Sequence, residues 1–235
     1  MDVIMLAGGK GTRLRPYTMV LPKPLMPIGD LPILEVLMQQ VGRLGVDRVT
    51  LAVGYLSEII FAYLEPRRAS YPFELAYVRE ETPLGTFGPV QLVEGIDDTF
   101  LLMNGDILTT LKFDEMLAFH KEQGATMTVA ASRRQVNIDY GVLELDGPVI
   151  VGQREKPSFH YDVSMGIYAI NPSALDLLEP GVRMDVPDLI AKLIARGDKV
   201  CAYQTDCFWL DIGRAEDYAT AIDEFEKRSE EFLGS

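Results

Sequence analysis

The chain has 235 residues, 48% of them hydrophobic, and a formal net charge of -13 at pH 7. This length and composition are enough for a packed core in one large domain or two small ones. Surfaces that bind nucleic acid or anionic membranes carry broad basic patches, so the acidic balance excludes both as general partners.

Cysteine content and hydropathy bear on the compartment. The two cysteines, Cys201 and Cys207, make no metal-binding spacing with His120 and His160, and we expect reduced thiols in a cytoplasmic protein. The N-terminal sequence has no export signal, and no segment reaches about 18 uninterrupted apolar residues. We therefore expect neither secretion nor a membrane span.

The predicted elements alternate between strands and helices along the chain. Apolar runs bounded by turn residues predict strands, and apolar residues that recur every three or four positions predict helices. Strands are predicted at 3–7, 48–53, 73–78, 100–104, 127–131, 141–145, 149–153, 162–170 and 199–205. Helices are predicted at 32–44, 57–64, 114–123, 173–178, 186–196 and 214–231. This order predicts a single-domain, three-layer α/β fold with a mixed, mostly parallel sheet and an irregular hairpin region on one side.

A glycine-rich loop, MLAGGKGTRLRP at 5–16, follows the first predicted strand. Its spacing matches neither the dinucleotide fingerprint nor the mononucleotide P-loop. Residues 1–27 carry four cations, Lys10, Arg13, Arg15 and Lys23, against the single acid Asp2, a local charge of +3. Ligands of open α/β sheets bind at the carboxyl ends of strands, so the loop predicts a small, highly anionic ligand. The alternative is a loop of solvated charges.

Two aspartates end predicted apolar runs. Asp106 ends FLLMNGD, and Asp211 follows the apolar pair before it in WLDIG. Two carboxylates together with phosphate oxygens and water are ligands that suit Mg²⁺. The alternative for each residue is a role in capping a turn or a helix. We predict a Mg²⁺ site formed by Asp106 and Asp211.

A series of motifs resembles the sugar-1-phosphate nucleotidyltransferase family, closest in style to its mannose- and heptose-1-phosphate guanylyltransferases. In chain order they are LAGGKGTRLRP, PKPLMPIGDLPIL, ETPLGTFG, LLMNGDIL, YGVLEL, REKP, SMGIYAI and WLDIGRAEDY. Members of this family join a nucleoside triphosphate to a sugar 1-phosphate and release pyrophosphate. The resemblance implies a Rossmann-like fold of the nucleotide-diphospho-sugar transferase type, with 1–235 as one nucleotidyltransferase domain and no C-terminal β-helix.

The resemblance and the chemistry above assign three groups of site residues. The catalytic group is Arg13, Lys23 and Asp106. The nucleotide-binding group is Leu6, Ala7, Gly8, Gly9, Gly11, Thr12, Glu80 and Gly85. The sugar-phosphate group is Asn104, Gly141, Glu155, Lys156 and Ser164. Serine stands at 164 where the family commonly has asparagine, so the identity of the sugar does not carry over.

The substrate prediction starts from the hydrogen-bonding groups of guanine. Guanine presents two adjacent N–H donors, which a carboxylate accepts as a bidentate pair. Glu80 and Glu81 precede the PLGT turn, whereas Gln91 follows it, so we expect GTP with a manno-configured hexose or heptose 1-phosphate. Phe87 replaces the small residue usual after this turn, and we expect it to reshape the pocket.

Other functions stay open from the sequence. One is a UTP- or dTTP-dependent enzyme on a sugar 1-phosphate, and another is a CTP-dependent cytidylyltransferase on a non-sugar phosphate. A noncatalytic regulator that binds nucleotide sugars is less favoured, because the residues that handle the triphosphate are present. A metal-dependent glycosyltransferase is disfavoured by the absence of an Asp-x-Asp triplet. The sequence is compatible with a homo-oligomer.

Overall fold

The computed structural model describes residues 1–234. The strands are β1 (Asp2–Ala7), β2 (Pro27–Ile28), β3 (Leu31–Pro32), β4 (Arg48–Val53), β5 (Glu74–Arg79), β6 (Phe100–Asn104), β7 (Ile107–Thr109), β8 (Met127–Asn137), β9 (Val142–Asp146), β10 (Val149–Arg154), β11 (Ser158–Ile170), β12 (Val200–Thr205) and β13 (Trp209–Asp211). The α-helices are α1 (Ile33–Gly42), α2 (Ser57–Leu64), α3 (Phe113–Gln123), α4 (Val186–Arg196) and α5 (Ala215–Leu233).

Seven strands form the central sheet, in the order β12-β8-β11-β6-β1-β4-β5. The pairs β1–β4, β1–β6, β4–β5 and β8–β12 are parallel, and β11 runs antiparallel to both of its neighbours. This mixed, mostly parallel sheet with flanking helices confirms the predicted fold class. The largely buried strand β1 lies between β6 and β4 in the parallel part. The connections of the chain run in opposite directions from this point of the sheet, and ligands of open α/β sheets bind at the carboxyl ends of strands at such a point.

Alternating residues of β1 contact two different hydrophobic cores, one on each face of the sheet. Val3, Met5 and Ala7 pack with the apolar faces of α1, α2 and α3. Ile4 packs on the other face with Phe87 and with apolar residues of α4. A third cluster joins α1 to α5. The molecule is therefore layered as predicted, with helices on both faces of the sheet.

Two strands are longer than the sequence predicts. β8 extends to Asn137 and β11 begins at Ser158, where the two continue as an antiparallel ribbon whose residues are mostly exposed. Beside this ribbon, β9 and β10 form the predicted hairpin around the Asp146–Gly147 turn. The segment predicted as a helix at 173–178 is a 3-10 helix, Pro172–Leu177.

A small antiparallel pair, β7 with β13, was not predicted. Asp211 pairs with Ile107 in this ladder, and the Ile212 amide donates to the Asp106 carbonyl at 3.2 Å. The pairing brings the ends of two distant segments together beside β6. Among the helices of residues 1–234, none combines the length and the apolar character needed to cross a membrane.

Candidate active site

A cleft of about 350 Å³ opens at the carboxyl edge of β1 and β6. Its walls come from the glycine-rich loop, the turn after β5, the end of β6, the end of β13 and the segment before α4. The residues that line it are Leu6, Gly8, Gly9, Arg13, Lys23, Glu80, Pro83, Gly85, Thr86, Asn104, Asp106, Arg183 and Asp211. All three predicted catalytic residues and both predicted metal ligands therefore share one cleft.

The glycine-rich loop is ordered by contacts of its own. Gly11 has a positive φ of +56°, and a Cβ there would lie 2.8 Å from Cγ2 of Thr18. The Thr18 hydroxyl donates to the Gly11 carbonyl at 2.7 Å, and Leu14 is buried in the core that joins α1 and α5. Such contacts are atypical of a flexible loop of solvated charges. Gly8 and Gly9 line the cleft, whereas Ala7, Gly11 and Thr12 do not.

Lys23 is the centre of the charged cluster. It opens a short 3-10 helix between two prolines, Pro22 and Pro24, and its side chain is only 10% exposed. Its ammonium forms an ion pair with Asp106 and contacts Oδ1 of Asp211 at 3.3 Å. The pairing of β7 with β13 holds these two carboxylates on either side of one cation.

The carboxylate pair meets the requirements of a Mg²⁺ site. Asp106 and Asp211 offer hard oxygen ligands at the cleft surface, and Mg²⁺ commonly takes one or two carboxylates and completes its shell with phosphates and water. Within residues 1–234 no group of three or more His, Cys, Asp or Glu side chains forms a closed metal cage. The donor set therefore fits a metal that is shared with a phosphate substrate.

The two aspartates differ in their surroundings. Burial raises the pKa of the Asp106 carboxyl, and the neighbouring Lys23 ammonium opposes this shift. The side chain of Asp211 is 40% exposed and that of Asp106 is 21% exposed. Asp106 is thus the desolvated partner, whose charge depends on a cation nearby.

Arg13 extends from the glycine loop toward the end of β13. A Cβ on Gly213 would lie 3.3 Å from Nη2 of Arg13, so the guanidinium lies directly over this glycine. The Gly213 amide donates to the Asp211 carbonyl at 2.8 Å. The absence of a side chain at 213 lets Arg13 lie close to the backbone that carries Asp211.

Glu80 lies at the other side of the glycine loop. Oε2 of Glu80 accepts a hydrogen bond from the Leu84 amide at 2.8 Å, and Oε1 lies beside Gly8. Burial raises the pKa of the Glu80 carboxyl, which the hydrogen bond from Leu84 partly offsets. Glu81 is exposed and does not line the cleft. The sequence gives the same role to Glu80 and Glu81, but in the structure only Glu80 lines the cleft.

The PLGT turn is held by the segment before α4. Gly85 has φ +91°, and a Cβ there would lie 2.5 Å from the Met184 carbonyl oxygen. The Thr86 amide donates to Oδ1 of Asp185 at 2.9 Å, and the amides of Phe87 and Gly88 both donate to the Met184 carbonyl. Phe87 is fully buried in the core on the α4 face and does not line the cleft, so any effect of this residue on the pocket would act through the backbone of the turn.

Asn104 ends β6 and faces the cleft. Its amide lies against Gly166, which has φ +72° and whose Cβ would lie 2.5 Å from Nδ2 of Asn104. Ser164 is nearby along β11, where its hydroxyl contacts the Tyr168 hydroxyl at 3.1 Å and accepts from the Gly166 amide at 3.3 Å. Serine at 164 therefore braces the turn that makes room for Asn104.

Four of the predicted sugar-phosphate residues lie outside the cleft lining. They are Gly141, Glu155, Lys156 and Ser164. Glu155 and Lys156 are exposed next to the β9–β10 hairpin, and Lys156 has a positive φ of +42°. Glu155 contacts Gln153, whose amide nitrogen lies 3.4 Å from Oε2 of Glu155. The cleft thus brings together both metal candidates and five of the eight nucleotide candidates, Leu6, Gly8, Gly9, Glu80 and Gly85, but not these four residues.

Three residues that line the cleft were missed by the sequence reasoning. They are Pro83, Thr86 and Arg183. The first two belong to the motif ETPLGTFG, which could have identified them. Arg183 precedes α4 in GVRMDVP, where no recognised motif marks it.

Comparison with known proteins shows the family. A family model described as nucleotidyl transferase matches residues 2–228. A mannose-1-phosphate guanyltransferase of Debaryomyces hansenii is 32% identical over 231 residues, and the match covers 93% of this chain and 62% of that protein. Mannose-1-phosphate guanylyltransferase 1 of Arabidopsis thaliana is 31% identical, with coverages of 94% and 64%.

Solved structures agree with this result. The crystal structure of HddC from Yersinia pseudotuberculosis superposes with a TM-score of 0.72 at 25% identity, covering 95% of this chain and 99% of that one. The chain spans 62% to 64% of the length of the two relatives above. The family match covers the glycine loop, both aspartates and the PLGT turn, and the chain therefore belongs to the nucleotidyl transferase family.

Proposed function

We propose that this chain transfers the nucleoside monophosphate of GTP to a mannose- or heptose-type sugar 1-phosphate, with release of pyrophosphate. The observation that carries the proposal is the cleft itself, where a glycine loop and Arg13 meet a Lys23 ammonium between two aspartates, with the Glu80 carboxylate beside Gly8. Two relatives at 31% and 32% identity are named as mannose-1-phosphate guanylyltransferases, which supports this choice of substrates.

The reaction needs no covalent intermediate on the protein. An oxygen of the sugar phosphate attacks the α-phosphorus of the triphosphate, the new P–O bond forms, and the bond to the β-phosphate breaks to release pyrophosphate. The protein has to bring two polyanions together and stabilise the charge on the transferred and leaving phosphates. The cations of the cleft, Arg13 and Lys23, and the backbone amides at Gly8 and Gly9 serve that purpose.

Asp106 and Asp211 are the residues that would hold Mg²⁺. When bound, the ion would neutralise charge on the phosphate oxygens that it contacts. The chain's own contribution is to keep both carboxylates at one edge, with Lys23 between them. Arg13 lies over Gly213, two residues after Asp211, and we assign it to the leaving pyrophosphate.

Selection of the base is assigned to Glu80. Its carboxylate is fixed by the Leu84 amide at 2.8 Å, and an ionised carboxylate has about four acceptor positions on its two oxygens. Both oxygens can therefore still accept the adjacent N–H donors of guanine. Leu6, Gly85 and the glycine loop complete the nucleotide side of the cleft.

The sugar side is assigned to Asn104, which lines the cleft, together with Gly141, Glu155, Lys156 and Ser164, which lie outside its lining. In this proposal Gly141, Glu155 and Lys156, which flank the β9–β10 hairpin, contact the sugar and its phosphate. This side of the cleft is open and polar, which suits a hydroxylated substrate.

The test is a matrix of GTP, UTP, dTTP and CTP against several sugar 1-phosphates, scored by release of pyrophosphate. We expect the highest kcat/KM for GTP with mannose 1-phosphate or a manno-configured heptose 1-phosphate. A preference for UTP or dTTP would overturn the assignment of the base. Turnover with phosphocholine and CTP, and none with sugar phosphates, would overturn the assignment of the second substrate.

A further inference from the structure

The carboxylate of Asp185 joins the PLGT turn to α4. Asp185 is the residue before α4 and does not line the cleft. Its Oδ1 accepts a hydrogen bond from the Thr86 amide at 2.9 Å, and its Oδ2 lies 2.6 Å from Nη2 of Arg183. The same side chain forms the capping box of α4 together with Asp188. A single carboxylate outside the cleft therefore contacts two residues that line it.

The Thr86 side chain completes this attachment. Its hydroxyl accepts from the Val186 amide at 2.8 Å and lies 3.4 Å from Oδ1 of Asp185, to which it donates. Thr86 is exposed and lines the cleft, yet its amide and its hydroxyl are both bonded to the start of α4. Thr86 therefore serves as the point at which the turn is held.

Backbone hydrogen bonds hold only the two ends of this turn. The Met184 amide donates to the Leu84 carbonyl, and the Met184 carbonyl accepts from the amides of Phe87 and Gly88, all at 2.9 Å. Leu84 and Phe87 are buried, as is Met184. These bonds and contacts involve no side-chain atom of Asp185, so we expect the ends of the turn to stay in place when that side chain is removed.

The middle of the turn depends on Asp185. Gly85 and Thr86 are the two residues between the fixed ends, and both line the cleft. A Cβ on Gly85 would lie 2.8 Å from Oδ1 of Asp185, so the carboxylate lies directly against the bare backbone of this glycine. Within residues 1–234, the Gly85 amide makes no hydrogen bond, which leaves it available to a ligand.

We propose that Asp185 is a positioning residue for the nucleotide, whose carboxylate fixes Gly85 and Thr86 in the conformation that binds the nucleoside part of the substrate. The inference rests on the proposed function, whose nucleotide side it extends to a residue outside the cleft. Asp185 touches no substrate and acts through the turn. A helix cap alone would contribute to stability and leave substrate binding unchanged.

The first test compares the kinetics of Asp185→Ala, Asp185→Asn and the wild type. Asp185→Ala removes the acceptor of a charge-assisted hydrogen bond, so KM for GTP should rise about tenfold. KM for the sugar 1-phosphate should stay within about twofold. Asp185→Asn keeps an oxygen for the Thr86 amide and loses the charge that pairs with Arg183, so its KM for GTP should stay within about threefold of the wild type.

These kinetics also separate the turn from the ion pair. If Asp185→Asn is impaired as strongly as Asp185→Ala, the lost contact with Arg183 is the cause, and the inference is wrong. An unchanged KM for GTP in Asp185→Ala, or equal increases for both substrates, would contradict it as well.

Asp188→Ala is the matched control for the helix cap. Oδ2 of Asp188 accepts from the Asp185 amide at 3.1 Å, and Asp188 is exposed and does not line the cleft. Both alanine variants should melt about 2–4 °C lower than the wild type, because each loses half of the capping box. Only Asp185→Ala should change KM for GTP. Equal increases in the two variants would assign the effect to α4 and overturn the role of Asp185.

Calorimetric titration with GTP and with UTP gives a readout that needs no turnover. Asp185→Ala should bind GTP about tenfold more weakly than the wild type. An affinity equal to that of the wild type would overturn the role of Asp185 even where the proposed function holds. A wild type that prefers UTP would overturn the assignment of the base, and a tenfold loss for UTP in Asp185→Ala would then leave the positioning role standing.

Discussion

Glu80 occupies the space that a side chain at Gly8 would need. A Cβ on Gly8 would lie 2.8 Å from Oε1 of Glu80 and 3.4 Å from the Gly54 amide nitrogen. The glycine-rich loop and Glu80, the residue proposed to select the base, therefore lie directly beside each other. A side chain added at position 8 has to displace the Glu80 carboxylate.

The first prediction follows from this contact. Gly8→Ala should shift the Glu80 carboxylate and reduce the ratio of kcat/KM for GTP over UTP by about tenfold, because a bidentate hydrogen-bond pair is lost. Stability should change by less than about 1 kcal/mol, since the displaced atom is the end of a side chain. Gly9→Ala is the control, as its Cβ meets nothing within 4 Å and the ratio should stay unchanged.

The second prediction concerns Glu80 and pH. Burial raises the folded-state pKa of Glu80, so the folded protein favours the neutral carboxyl, and charging it destabilises the fold as pH rises through that pKa. Glu80→Gln keeps an oxygen for the Leu84 amide and removes the charge. It should melt higher than the wild type at pH 7, by about 2–4 °C for each 1 kcal/mol gained.

This difference should vanish toward pH 4, below the ordinary glutamate value, where the wild-type carboxyl is also neutral. Glu81→Gln, at the exposed neighbouring position, should follow the wild type across this range. A melting difference for Glu80→Gln that is equal at pH 4 and pH 7 would contradict the origin of the effect in burial of the charge.

The third prediction separates the two aspartates by stability. Asp106→Asn and Asp211→Asn should both abolish turnover, because both are proposed metal ligands. Asp106→Asn should also destabilise the fold by about 1–3 kcal/mol, since it removes the close partner of the buried Lys23. Asp211→Asn should cost less than about 1 kcal/mol, because its contact with Lys23 is longer and more exposed. Urea denaturation measures both values, and equal losses would contradict the asymmetry.

The fourth prediction uses two glycines with positive φ. Gly85→Ala places a Cβ 2.5 Å from the Met184 carbonyl in addition to the backbone strain at φ +91°, so it should destabilise by about 2–4 kcal/mol. Gly95→Ala, at φ +70° with nothing within 4 Å, should show the strain alone, about 1–2 kcal/mol. If both variants unfold at the same urea concentration, the contact with Met184 has no energetic weight.

The sequence predicted most accurately the strands and helices that have a clear apolar pattern. β4 and α4 have the bounds expected from their apolar patterns, at Arg48–Val53 and Val186–Arg196. The strand predicted at 162–170 leaves out the first residues of β11, from Ser158, because they are mostly exposed and form no continuous apolar run, and only their pairing with β8 makes them a strand. Pairing between distant segments leaves little trace in local composition.

The same limit applies to the site. Lys23, Asp106 and Asp211 could be predicted because each lies in a motif that chemistry explains. Their arrangement, with one ammonium between two carboxylates, depends on the ladder between β7 and β13, whose strands have three residues each. Arg183 was missed for a related reason, since only its packing on the PLGT turn places it in the cleft.

Lys23 gives the cleft an internal counter-ion. Two carboxylates would repel each other across so small a space, and the ammonium between them lets the fold keep both in position. In the proposed reaction the triphosphate would enter a cleft whose charged groups are already held by one another, and we expect its binding to exchange their partners with little movement. Electrostatic stabilisation is most effective when the surrounding dipoles need least rearrangement during the reaction. Folding therefore places the charged groups of the cleft in the arrangement that the proposed reaction requires, and little of their rearrangement is left for the reaction itself.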